Sequence, residues 1–269
     1  MVQTQLDLFS GSGRERGDPT GEAAEAAPVL IAADLDDGAL SAAIPAARLK
    51  EAPALAAEAG RRRLPGAVPA LSALCRRFIG FGRDGVVPEQ RAALDALAAI
   101  GGAAAARATA RLLVERVVEG PNRAHAVVVA AGLGTQLPAS LLLELMADPA
   151  PAVRAAACAC VGRQLTLVPR LLELADDETT EVRTAAVSAL GRMGRREALP
   201  MLTRLLREAP TTTVIEAVTA VADEDCVILL ARLARSRDDL AMAALDALAV
   251  IDHPRARQLL ARLEAERCA

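Results

Sequence analysis

Three prolines, Pro138, Pro169 and Pro200, stand 31 residues apart in the chain. Each opens a leucine-rich stretch: Leu137-Pro138 precedes Leu141 and Leu142, Val168-Pro169 precedes Leu171 and Leu172, and Leu199-Pro200 precedes Leu202. A fixed period of this length constrains the fold more than any other feature here. It marks an array whose units each bury an apolar face on the next. Proline's fixed φ suits the first turn of a helix, where its missing N–H costs nothing. A second element recurs just upstream. Asp148 with Val153-Arg154, and Asp177 with Val182-Arg183, each lead into an alanine-rich helical stretch expected to end at Gly162 or Gly191. Each unit therefore reads as two antiparallel helices.

Weaker copies extend the pattern in both directions. Residues 89–101 resemble 181–194, and Val68-Pro69 with Leu71 resembles the proline-led second helices. Residues 213–222 and 240–249 carry an Ala/Val/Leu stripe at i, i+3, i+4 and i+7, with second helices expected at 224–236 and 254–267. The expectation is an all-α chain, an α-solenoid of about seven stacked antiparallel helix pairs between residues 36 and 267, closed by a last helix that alternates Arg and Glu. Composition agrees. Alanine is the commonest residue, and Trp and Tyr are missing, which excludes a β-branched, aromatic sheet core. Arginine with a single lysine, Lys50, points to a GC-rich, bacterial coding sequence. Residues 1–28 hold Gly, Ser, Pro and charge after one short apolar knot, so the domain division reads as a disordered leader, 1–28, and a solenoid, 29–269. Residues 1–60 carry four basic and ten acidic groups against 27 and 24 in the remainder. No signal peptide or membrane span is legible, and a cytoplasmic protein is expected.

The Asp-x4-Val-Arg units and the proline spacing resemble the HEAT-like repeats, including the short bacterial variety first noticed in phycobilin lyases. The resemblance covers about 80% of the chain. It implies that Asp148, Arg154, Asp177 and Arg183 form a structural ladder between successive pairs. The ladder is expected to break near residues 122 and 213, where the motif is incomplete. Some relatives are di-iron hydroxylases built on repeated His-Glu pairs, but His125 and His253 are followed by Ala126 and Pro254. Others are DNA glycosylases that hold a base against Trp or Tyr, which this chain lacks. Cys158 and Cys160, two apart on one helix, are expected on different faces and unable to share a metal. The residues therefore predict no enzyme, no cofactor and no metal site, and favour a scaffold or adaptor for protein partners. A HEAT-like lyase or accessory subunit is the weaker alternative.

A second alternative is nucleic-acid binding in DNA repair or genome maintenance. Arg76, Arg77, Arg107, Arg111, Arg204, Arg207, Arg232 and Arg235 all fall on second helices and form a candidate nucleic-acid or partner face. Acidic neighbours such as Glu115, Glu144, Glu173 and Glu208 interrupt it, which favours a solvated Arg/Glu face. The sharpest local signal lies in the leader. Gln5-Leu6-Asp7-Leu8-Phe9 resembles the pentapeptide by which many bacterial polymerases and repair proteins dock on the replicative sliding clamp, and every position fits. Leu8 and Phe9 are apolar anchors, and Gln5 supplies directional hydrogen bonds. The alternative for the same residues is an amphipathic turn folded back on the first helices.

Overall fold

A computed structural model of the protein describes residues 32–236 and 239–268. The pentapeptide at residues 5–9 and the whole of the leader, residues 1–28, lie outside the described residues. Within them are fifteen α-helices and no strand. A short helix, α1 (Asp37–Ala43), precedes seven pairs: α2 (Ala52–Arg61) with α3 (Val68–Arg76), α4 (Pro88–Ile100) with α5 (Gly102–Val114), α6 (Gly120–Gly132) with α7 (Ala139–Leu145), α8 (Pro151–Ala159) with α9 (Val168–Leu174), α10 (Thr180–Arg192) with α11 (Leu199–Glu208), α12 (Thr212–Thr219) with α13 (Glu224–Leu233), and α14 (Leu240–Val250) with α15 (Pro254–Cys268). The even-numbered helices pack each on the next in one layer, and the odd-numbered helices back them. This is the α-solenoid that the repetition predicts.

Three of the pairs, α2/α3, α8/α9 and α10/α11, share one turn chemistry. A residue in the left-handed region reverses the chain, a 3-10 turn follows, and Val or Leu then Pro starts the second helix. Arg63 (φ 49°), Gly162 (φ 62°) and Gly194 (φ 74°) are the reversing residues, and Pro65–Ala67, Leu165–Leu167 and Arg196–Ala198 are the 3-10 turns. The pair α4/α5 departs from this pattern. Gly101 (φ 69°) alone joins its two helices, and Gly102 (φ 73°) follows at once.

The expectation that Gly191 ends its helix is corrected. Gly191 lies inside α10, which runs on to Arg192. It is glycine because a Cβ there would sit 2.6 Å from the Ala217 carbonyl oxygen of α12 and 2.6 Å from Leu202 Cδ1. Gly60 plays the same part between α2 and α4, against the backbone of Ala96. The core is continuous along the array, from Leu40 and Leu55 through Leu97, Leu112, Leu142 and Leu190 to Leu248 and Leu263. At its start Arg62 closes the chain entry, donating to the carbonyls of Ala32, Ala33 and Leu35 and to the carboxylates of Asp37 and Glu58.

Candidate interaction surface

The α3–α4 loop, residues 77–87, is held from beneath by a buried amide pair. Gln90, on the first turn of α4, donates from Nε2 to the carbonyls of Cys75 (3.1 Å) and Val117 (3.2 Å), and reaches that of Phe78 at 3.4 Å. Its own Oε1 accepts from Asn122 Nδ2 at 3.1 Å, and the same Nδ2 donates to the Val87 carbonyl at 3.0 Å. Both amides are fully buried, so these bonds form where water does not compete. The loop is fastened on its other side by the Arg83–Glu119 ion pair at 3.0 Å. Gly120 allows the close approach: a side chain there would strike the carbonyl oxygens of Gly82 and Arg83.

This fastened loop presents apolar side chains to solvent. Phe81 is 64% exposed, Ile79 55% and Val86 53%. Phe81 meets Phe78 edge to face, with ring centroids 6.5 Å apart, and the Arg77 guanidinium lies 5.7 Å from the Phe78 centroid. Arg77 also donates to the carbonyls of Pro45 and Ala47, which ties the loop to the turn where Arg48, Leu49 and Lys50 are exposed. The sequence reading passed over this surface. Its signals were two of the chain's three phenylalanines within four residues, and Gln90 and Asn122 at the position, three past the helix cap, that Val153 and Val182 occupy later.

The structure links the four ladder residues in a chain: Arg154 and Arg183 donate to the backbone carbonyls of Asp148 and Asp177, and one side-chain ion pair joins Arg154 to Asp177. Arg154 grips Asp177 through two parallel bonds, Nε and Nη2 to the two carboxylate oxygens, each 3.0 Å, the planar fork that makes Arg–carboxylate pairs strong. Asp177 Oδ1 also accepts from the Thr179 N–H. Its carboxyl is held below the usual range, chiefly by the Arg154 guanidinium. Asp148 accepts from the Ala150 N–H. Arg123, which occupies the position of Arg154 one pair earlier, goes to Glu144 at 2.8 Å instead. Arg183 turns to the carbonyls of Asp177 and Glu178 and to the Thr180 hydroxyl.

Residues 138–222, which span α7 to α12, match the family described as HEAT repeats. This stretch is similar to HEAT repeats. The match covers about a third of the chain, including both Asp-x4-Val-Arg units and the Arg154–Asp177 pair. No curated protein matches the chain.

Of the eight candidate-face arginines, six lie on second helices of the solenoid as expected, whereas Arg77 and Arg235 fall just past the ends of α3 and α13; four of the eight are engaged. Arg76 pairs with Glu115, Arg204 with Glu208, Arg235 with Glu266, and Arg77 holds backbone carbonyls. Arg107, Arg111, Arg207 and Arg232 are exposed. Between these clusters α7 offers Glu144, which takes Arg116 and Arg123, and on α9 Arg170 pairs with Glu173. Cys75, Cys158 and Cys160 are buried, and burial pushes each thiol up to about 12. His125 Nε2 lies 2.6 Å from Asp95 Oδ1, and His253 Nδ1 accepts from the Arg255 N–H at the start of α15. Among the described residues no three His, Cys, Asp or Glu side chains gather as metal ligands, and no helix is long and apolar enough to cross a membrane.

Proposed function

We propose that the protein is an interaction scaffold whose HEAT-like array presents the α3–α4 loop to a protein partner. The observation that carries this reading is the loop itself: Ile79, Phe81 and Val86 stand in solvent while buried amides fix the backbone beneath them. Large apolar side chains on a preorganised backbone are what binding hot spots require, because little ordering entropy remains to be lost on association. Arg48, Lys50 and Arg77 at its margin suit a partner with acidic groups around an apolar pocket. The test is a capture experiment from native lysate with the intact protein and an Ile79→Ser, Phe81→Ser variant, its unfolding midpoint checked in parallel. Partners lost by the variant at unchanged stability support the reading. An identical partner set overturns it.

Gln5 to Phe9 supports a more specific form of the same function. In it the pentapeptide docks on the bacterial sliding clamp, and the protein is an adaptor that carries its solenoid to replication or repair machinery. Its support is the sequence match alone. DNA binding along the second helices has less in its favour, because ion pairs engage several of the arginines it needs.

A further inference from the structure

The first helices of the last four pairs present a face whose charge has one sign. α12 and α14 contain no basic residue, and the arginines of α8 and α10, Arg154, Arg183 and Arg192, are none of them exposed. α10, α12 and α14 each hold one exposed carboxylate instead, Glu181, Glu216 and Asp246. Among the described residues none of the three is in an ion pair, whereas Glu208 and Glu266 on the second helices are paired with Arg204 and Arg235. Half-buried Arg192 feels the charge of Glu216 but makes no bond to it.

Between α12 and α14 this face opens into a groove of about 350 Å3. Ile215, Ala243, Ala247 and Val250 form its apolar lining, and Glu216 and Asp246 stand one on each helix. Val250 is 72% exposed, more than any other large apolar side chain among the described residues. On α14, Met242, Asp246 and Val250 follow at i, i+4 and i+8 and so share one stripe, with the carboxylate set between two exposed apolar side chains.

We propose that this groove is a docking surface for a basic amphipathic helix of a partner protein, a second surface that goes beyond the α3–α4 loop and does not depend on it. The walls select the sign of the occupant: unpaired carboxylates beside an apolar floor favour lysine or arginine bordering an apolar stripe. The construction of the groove selects the occupant's secondary structure. Its walls are helices whose backbone groups are already bonded internally, so an extended segment would find no edge to pair with and would bury unpaired N–H and C=O groups. A helix arrives with its backbone satisfied, and the small side chains of Ala243 and Ala247 let it come close.

The test is fluorescence anisotropy of a labelled peptide titrated with the full chain. The probe is about 18 residues of leucine, alanine and lysine, long enough to form a helix, with leucines at i, i+3, i+4 and i+7 and lysines along both borders of that stripe. It is expected to bind saturably, one per chain. Glu216→Gln with Asp246→Asn is expected to raise its Kd at least about tenfold, and Val250→Ser is expected to raise it as well. Asp176→Asn with Glu178→Gln removes the same charge from exposed positions outside the groove and is expected to leave the Kd unchanged. The Ile79→Ser, Phe81→Ser variant is likewise expected to bind as the unaltered chain does, so the groove and the loop are tested separately. No saturable binding of the lysine peptide, unchanged binding by either groove variant, or an equal loss in both charge variants overturns the docking surface. A glutamate version of the peptide that binds as well overturns the basic partner, and a version broken by a central proline that binds as well overturns the helix. The substituted carboxylates are exposed and make no ion pair, so their loss leaves the fold intact, which unfolding midpoints check.

Discussion

At the residue scale the most consequential side chain is Gln90, because one amide serves several elements. It satisfies carbonyls at the end of α3 and after α5, and it positions Asn122 of α6, which in turn holds Val87. A carbonyl left unpaired in the interior costs about 1–3 kcal/mol, so Gln90→Leu, although similar in size, is expected to destabilise the protein by at least about 2 kcal/mol. Urea unfolding measures this, and a change within error would show that the pair is dispensable. The same substitution is expected to make the 77–87 loop the first site of proteolytic cleavage. Little of this was legible in the sequence. Hydrophobic periodicity reports that a position faces inward, but a buried amide reads as a surface residue until the carbonyls around it are known. Arg62 is hard to read for the same reason: the sequence shows only the middle of three consecutive arginines, 61–63, whereas in the fold it gathers the carbonyls of Ala32, Ala33 and Leu35.

At the scale of helices and turns, the repeated units were read correctly because their signals are local. Pro at a first helical turn and apolar residues every third or fourth position both act within a few residues. The reading of Gly191 failed because its cause is another helix. Glycine ends helices often enough to suggest a cap, whereas here it gives α12 room to approach. Two substitutions of the same kind are therefore expected to act in opposite directions. Gly191→Ala drives a methyl group into Ala217 and Leu202 and is expected to cost about 1–3 kcal/mol. Gly132→Ala, at the end of α6 where a Cβ meets no atom within 4 Å, is expected to stabilise by about 0.5–1 kcal/mol through the reduced freedom of the unfolded chain. Thermal unfolding of both variants checks the pair of signs, and a common sign would refute the packing argument.

At the scale of the whole molecule, the adaptor form of the function makes one decisive prediction. Intact protein is expected to bind the bacterial sliding clamp, and a Leu8→Ala, Phe9→Ala variant is expected to lose that binding, since two buried anchors dominate short-peptide interfaces. Equal binding by both proteins, or none by either, ends the adaptor reading. A fall of several degrees in the variant's melting temperature would instead place the knot on the solenoid. The array itself carries a further consequence, which concerns its alignment with itself. Identical units could slip by one repeat or exchange between molecules at little cost. Here the third position after the helix cap is an amide in α4 and α6 and a valine in α8 and α10. A one-unit shift would set Asn122 against valine and cost its Nδ2 the Gln90 acceptor in an apolar interior, a penalty of the kind that fixes register in coiled coils. The Gln90–Asn122 pair thus serves as an index mark, by which an otherwise repetitive chain counts its own units from the correct end.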